Sequence, residues 1–268
     1  MEQITGTKFI INNTVADVSR FIPETSATLY YEVIRIIDGK YIFLEDHLDR
    51  LSNSCTGAGN PCSRKELVES LHKLVEINEI RDGNVKLTVA FTDSSARISC
   101  YFIPHKYPGK EDYTEGVPVA TFEFTRPDPN IKKWNETFRE AVNRFIGEQN
   151  IYEAILLDES GRMTEGSRSN LFFVDHEGAV VTAPKSLVLP GITRKYVLEI
   201  CRQQDYNIIE KALTIREAGE MAACFISGTS PKVLPVKRIN DMAFSVNHPV
   251  LDMVLAGYNR LIDQQIRQ

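Results

Sequence analysis

Four short segments carry residue types whose spacing suits chemistry. In Leu187-Val-Leu-Pro-Gly-Ile-Thr-Arg-Lys-Tyr-Val-Leu-Glu-Ile200 an apolar run stops at Pro190-Gly191, and a helix is expected to open with Ile192 and Thr193. Free backbone N–H groups and the positive end of the helix dipole make such a start a seat for phosphate, and Thr193 adds a hydroxyl. In Ala222-Ala-Cys-Phe-Ile-Ser-Gly-Thr-Ser-Pro-Lys232 a short apolar strand runs into Ser227-Gly228-Thr229-Ser230. These small residues allow close backbone approach and can form an anion nest. The third segment, Gly161-Arg-Met-Thr-Glu-Gly-Ser-Arg-Ser-Asn-Leu-Phe-Phe173, places Glu165 between a threonine and a glycine just before an apolar strand. The fourth, Asn130-Ile-Lys-Lys-Trp-Asn135, sets two lysines at the start of an expected helix with the single tryptophan. Taken one at a time, the four also read as a capped helix, an ordinary loop, a solvated turn carboxylate and surface lysines.

Together they describe one chemistry. A phosphate held from two sides, a carboxylate for a pyridine nitrogen and an amine for a Schiff base are the protein groups that pyridoxal phosphate requires. Competing chemistries find little support. There is no GxxxxGK[ST] loop, and no GxGxxG follows a strand. The five cysteines (Cys55, Cys62, Cys100, Cys201, Cys224) form no CxxC pair, and the five histidines show no metal-ligand spacing. No metal is expected, and the thiols read as reduced and packed. A formal charge of −5 argues against a general nucleic-acid binder. No apolar run reaches the roughly 18 residues of a membrane span. The opening residues lack the basic and apolar stretches of a signal peptide. A cytoplasmic protein acting on small molecules is the expectation.

The elements that must position these residues can be read in outline. Tyr30–Ile37, Asp38-Gly39 and Lys40–Leu44 form a hairpin signal around a dipeptide that tolerates positive φ. A short helix follows over 45–54. Ser63-Arg-Lys-Glu66 opens another, with Leu67, Leu71, Leu74 and Val75 at helical spacing. Strands are expected at 85–91 and 97–103, joined by Thr92–Ala96. Pro104, Pro108, Gly109, Gly116, Pro118, Pro127 and Pro129 then punctuate the chain, which suggests a crossing between domains. The expected division is a small N-terminal domain over 1–115, an interdomain segment over 116–125 and a larger C-terminal domain over 126–268. In the latter a helix is expected from about Trp134, strands at 153–158, 169–174 and 179–182, and a helix at 193–204. Strands at 223–227 and 232–239 and a last helix from about 249 complete it. Helices dispersed among strands imply an α/β or α+β body.

The motifs together resemble the fold-type IV (class IV) pyridoxal-phosphate aminotransferases, the group of branched-chain aminotransferases, D-amino-acid aminotransferases and aminodeoxychorismate lyases. The likeness rests on Tyr31-Glu-Val-Ile-Arg with Glu45-Asp-His-Leu-Asp-Arg-Leu51, Ile131-Lys-Lys-Trp-Asn135, Thr164–Phe172, Leu189-Pro-Gly-Ile-Thr-Arg194 and Ser227-Gly-Thr-Ser230, in the family's order. It implies a small N-terminal α/β sandwich and a larger C-terminal α/β pseudo-barrel, in a homodimer. It implies Lys132 as the Schiff-base lysine, three residues before Asn135, and Glu165 on the pyridine nitrogen. Arg50 would hold the phosphate with Ile192, Thr193, Gly228 and Thr229, and Tyr31 would face the substrate. The implied reaction moves an amino group between an amino acid and a 2-oxo acid. A lyase like aminodeoxychorismate lyase is the alternative, and a non-catalytic metabolite-binding relative a more distant one. The chain departs from the pattern in three places. Glu136 stands where many relatives have tyrosine, Pro23–Thr28 replaces a glycine-rich loop, and the Arg-x-His carboxylate trap is absent from 97–105, where His105 reads as a loop residue.

Overall fold

The computed structural model describes residues 3–24, 28–57, 62–91 and 96–267. The centre of the 23–28 replacement and the 92–95 connection lie outside the described residues. The chain forms two units, one of residues 1–106, 131–134 and 262–268, the other of 107–130 and 135–261.

The first unit holds β1 (Thr5–Ile11), β2 (Thr14–Asp17), β3 (Leu29–Ile37), β4 (Lys40–Tyr41), α1 (Leu44–Gly57), α2 (Arg64–Asn78), β5 (Gly83–Phe91) and β6 (Ala96–Ile103). The strands make one antiparallel sheet in the order β2-β1-β6-β5-β3-β4. The β3–β4 hairpin forms because Asp38 (φ 50°) and Gly39 (φ 77°) accept the left-handed backbone that a tight two-residue turn requires. Ser63 caps α2 by accepting the Glu66 N–H, which satisfies an otherwise unpaired helix-end donor. Leu48, Leu51 and Cys55 of α1 and Leu67, Leu71 and Leu74 of α2 then pack on Ile34, Ile36, Val85, Leu87 and Val89 of the sheet. At about 1.5–3 kcal/mol per buried large aliphatic side chain, this helix-on-sheet layer is the unit's main stabilising contact.

The second unit holds α3 (Lys110–Glu115), β7 (Val117–Glu123), α4 (Glu136–Gln149), β8 (Glu153–Leu157), β9 (Met163–Gly166), β10 (Asn170–Val174), β11 (Val180–Thr182), α5 (Ile192–Gln203), β12 (Ile208–Glu210), α6 (Ile215–Ala218), β13 (Ala223–Gly228), β14 (Lys232–Ile239), β15 (Met242–Ala243) and α7 (Pro249–Arg267), whose last residues count with the first unit. Six strands close a ring, β10-β13-β14-β7-β8-β9, because β9 pairs with both β8 and β10. Alternate residues of all six, among them Val117, Ile155, Met163, Leu171, Cys224 and Leu234, form one buried cluster. That is the pseudo-barrel expected above.

Two readings change. The punctuated segment 116–125 contains β7, a barrel strand parallel to both β14 and β8. Pro118 fits there because the β7–β14 register shifts between Val236 and Arg238, next to its partner, and an irregularity tolerates a missing donor. The lysine pair does not lie on a helix. Asn135 is the N-cap of α4, its side chain accepting the Phe138 N–H at 3.0 Å, so the helix starts after the lysines. Residues 131–134 instead bridge to β3 at Lys133, with a tight turn at Lys132 in which Lys133 N donates to Ile131 O at 3.0 Å. Tyr31 N donates to Lys132 O at 3.2 Å and Trp134 N to Leu29 O at 2.8 Å.

Candidate active site

In the first unit, the neighbouring lysines differ in surroundings. Lys132 is half-buried with its Nζ 4.7 Å from the centroid of the Tyr31 ring. Trp134, two residues on, meets the same ring edge-on at 5.3 Å. Lys133 is exposed. The two side chains therefore diverge, Lys132 to the Tyr31 ring and Lys133 to solvent.

Arg50 is buried on α1 and clamped. Its Nε and Nη2 donate to Glu32 of β3 at 2.7 and 2.6 Å, and His47 Nδ1 lies 2.8 Å from the same carboxylate. Burial alone would raise the Glu32 carboxyl. The charge and hydrogen bonds of Arg50, with the hydrogen bond from His47, hold it instead at about 2. Burial lowers the His47 pKa below its usual value, and Glu32 only partly offsets this. The clamp fixes the plane of the guanidinium, as a bidentate fork does.

In the second unit, Glu165 sits on its own short strand, β9, opposite Asn170. The sequence placed it just ahead of an apolar strand, with a ring-nitrogen partner and a solvated turn both open. The ring closure explains the difference, since pairing on both sides makes a strand of four residues that carry no strand pattern. Glu165 is 2% exposed. Arg126 Nε donates to its Oε1 at 2.7 Å, and the Leu189 N–H to its Oε2 at 3.0 Å. Asn170 Nδ2 lies 3.5 Å from Oε2 and donates to Leu189 O at 2.9 Å. Thus the Pro190-Gly191 turn and Glu165 are tied together. Gly191 is required by close approach: a Cβ there would fall 2.0 Å from Asn170 Oδ1.

The helix start and the small-residue loop form where expected. Ile192 and Thr193 open α5 behind Gly191, which supplies no side-chain cap. The Thr193 hydroxyl is buried 3.1 Å from that of Tyr258, so its backbone N–H is the more direct donor for an anion. Gly228 ends β13, Thr229 follows in the turn to β14, and Gly228 lies against the Arg168 carbonyl, where a Cβ would come within 3.3 Å. Ser227 Oγ, on a residue 1% exposed, has no hydrogen-bond partner among the described residues.

Several residues of the site were not visible in the sequence. Arg126 sits in an irregular, proline-rich stretch with no periodicity to aim it. Glu32 lies in a strand whose burial hides its pairing. Asn170 reads only as the first residue of a strand. Among the described residues no group of three or more His, Cys, Asp or Glu is placed to hold a metal, and no helix is long and apolar enough to cross a membrane.

The family model for amino-transferase class IV matches residues 29–239. A D-alanine aminotransferase of Bacillus licheniformis is 32% identical over 82% of this chain and 81% of its own. A putative branched-chain-amino-acid aminotransferase of Methanocaldococcus jannaschii is 26% identical over 78% of each. Among solved structures, the Escherichia coli branched-chain amino acid aminotransferase superposes with a TM-score of 0.85 at 20% identity, covering 96% of this chain and 95% of that one.

Proposed function

The chain belongs to the class IV aminotransferases, and from that premise we propose which of its residues carry the reaction. It is a pyridoxal-phosphate-dependent transaminase, moving an amino group between an amino acid and a 2-oxo acid. Bound pyridoxal phosphate supplies an aldehyde that takes up the amino group and a ring that accepts the electron pair released at the substrate Cα. The residues present fit this cofactor. A buried serine hydroxyl without a partner among the described residues opens the Ser227–Ser230 loop, a helix start offers the N–H groups of Ile192 and Thr193, and a sealed carboxylate faces an arginine.

In this reading Lys132 would hold the cofactor through its amine and would move the proton at the substrate Cα. Glu165 would pair with the ring nitrogen and favour its protonated form. Arg50, the N–H groups of Ile192 and Thr193, and the Gly228-Thr229 backbone hold the phosphate. Tyr31 lines the substrate side. The chain acts as a homodimer in the cytoplasm; five free cysteines suit a reducing compartment.

The observation that carries the reading is the split between the lysines: Lys132 turned onto Tyr31, Lys133 exposed. Borohydride reduction followed by peptide mapping tests it. The cofactor label is expected on Lys132, with Lys132→Ala abolishing both label and turnover while Lys133→Ala leaves both. A label on Lys133, or on neither lysine, overturns it.

A further inference from the structure

The five thiols take no part in the roles above, and they are not alike. Cys55, Cys100, Cys201 and Cys224 are buried, whereas Cys62 is partly exposed. Burial raises the pKa of Cys100, Cys201 and Cys224, and Cys100 gives its S–H to the Ser70 carbonyl at 3.3 Å. Thiols sealed and kept protonated in this way are inert, because the thiolate is the nucleophile.

Cys55 and Cys62 come together where α1 ends and α2 begins, within the first unit. Cys55 lies on the buried face of α1 with Arg50, Leu51 and Ser54. Cys62 directly precedes Ser63, the N-cap of α2, and packs against the core cluster that holds Cys55, Leu67 and Leu71. The Cys55 S–H donates to the Cys62 sulfur, and the Ser52 hydroxyl and the Cys62 N–H donate to it as well. Three donors thus converge on one sulfur beside the positive end of a 15-residue helix. The hydrogen bond from Cys55, ahead of the other two, lowers the Cys62 pKa against its partial burial. The bond that Cys55 gives, together with its own burial, raises the Cys55 pKa. One sulfur is accessible and favoured as thiolate; the other is sealed, protonated and in contact with it. An attacking thiolate and a resolving thiol are arranged in this way.

We propose that Cys62 and Cys55 form a thiol–disulfide exchange site for low-molecular-weight disulfides of the glutathione type. Cys62 Sγ attacks one sulfur of the small disulfide, whose S–S bond breaks, and one small thiolate leaves with the electron pair. Cys55 then gives up its proton, and its Sγ attacks Cys62 Sγ and expels the second small thiolate. The protein loses two thiol hydrogens and the small disulfide becomes two thiols, so protons and electrons balance. The product ties the end of the helix that carries His47 and Arg50 to the start of α2. The site stands on the α1–α2 contact and needs none of the cofactor roles.

Holoenzyme incubated with oxidised glutathione and quenched in acid is to be read by intact mass and peptide mapping. The expected product is a Cys55–Cys62 disulfide, with two glutathiones released per chain and none retained. Dithiothreitol should restore both thiols. Cys62→Ser should abolish the reaction. Cys55→Ala should stop it half-way, with one glutathione held on Cys62 and one released. Cys100, Cys201 and Cys224 should stay free throughout. Glutathione that remains on Cys62 of the unchanged chain while Cys55 stays free overturns the proposal. First reaction at any other cysteine, a bond between two chains, or no loss of thiol overturns it equally. The unchanged chain alone gives all of these outcomes, so the decision stands even where a Cys55 variant fails to fold.

Discussion

Glu32 and Glu165 are both carboxylates sealed from water, and each meets an arginine nitrogen at 2.6–2.7 Å. They are built differently around that contact. Glu32 is gripped by two side chains of one helix, a fork from Arg50 and the ring of His47, so its carboxylate is consumed in orienting Arg50. Glu165 receives one Arg126 nitrogen, a backbone N–H and the approach of an amide. Arg126 is itself partly exposed and lies 5.7 Å from the Phe138 ring. The first arrangement is a closed clamp that holds a cation for another group to use. The second holds a carboxylate in position through contacts that are individually weaker. The same residue types thus serve opposite ends: in one unit the anion positions the cation, and in the other the cation positions the anion.

Breaking each clamp should give different losses. Glu32→Gln leaves a buried guanidinium without its charge partner and is expected to cost about 3–5 kcal/mol of stability. Urea unfolding, read with cofactor retention, checks this; a loss below 1 kcal/mol would show the clamp to be dispensable. Glu165→Gln should be read in rate. With the amide unable to hold a proton on the cofactor ring, single-turnover amino transfer is expected to slow roughly 10²- to 10³-fold, about 2.7–4 kcal/mol, while the urea midpoint moves less than for Glu32→Gln. Near-normal single-turnover rates would return Glu165 to a structural role.

Acid separates the clamps without mutation. Glu32 has a folded pKa of about 2 against an ordinary 4.5, so its stabilisation is present above 4.5 and is lost as pH falls toward 2. By linkage this amounts to roughly 3 kcal/mol. His47 is also depressed in the folded state. Its unfolded form takes up a proton first, so stability already begins to fall as pH drops through about 6.5. Unfolding free energy measured from pH 7 to 3 should therefore decline in two stages, and the upper stage should vanish in His47→Asn. Arg50→Lys is the mildest change. A single ammonium cannot hold Glu32 by a fork and also serve a phosphate, so cofactor binding, followed by absorbance, is expected to weaken by about 1.5–3 kcal/mol. Unchanged retention would remove Arg50 from the phosphate site.

Much of the frame was written locally. Asp38-Gly39, the Ser63 cap and the leucines of α2 each dictate their element through turn chemistry, capping or helical period, and each formed as expected. Long-range pairing was harder to read. The four residues of β9 carry no strand pattern and become a strand because the barrel closes through them. Pro118 argues against a strand until the irregular register beside it is known.

The site divides in the same way. From residue types and spacing alone came the Gly191-Ile192-Thr193 helix start, the Ser227–Ser230 loop and Glu165, because phosphate seats and short motifs are properties of a few consecutive residues; the choice of Lys132 came from the family resemblance. The choice of partners belonged to the tertiary structure. Arg126 reaches Glu165 across 39 residues of sequence, and Arg50 reaches Glu32 across 18. Lys86 meets Trp134 through a sheet face and a segment that the sequence placed at a helix start. Charge pairing depends on where backbones converge, and no local pattern encodes that convergence.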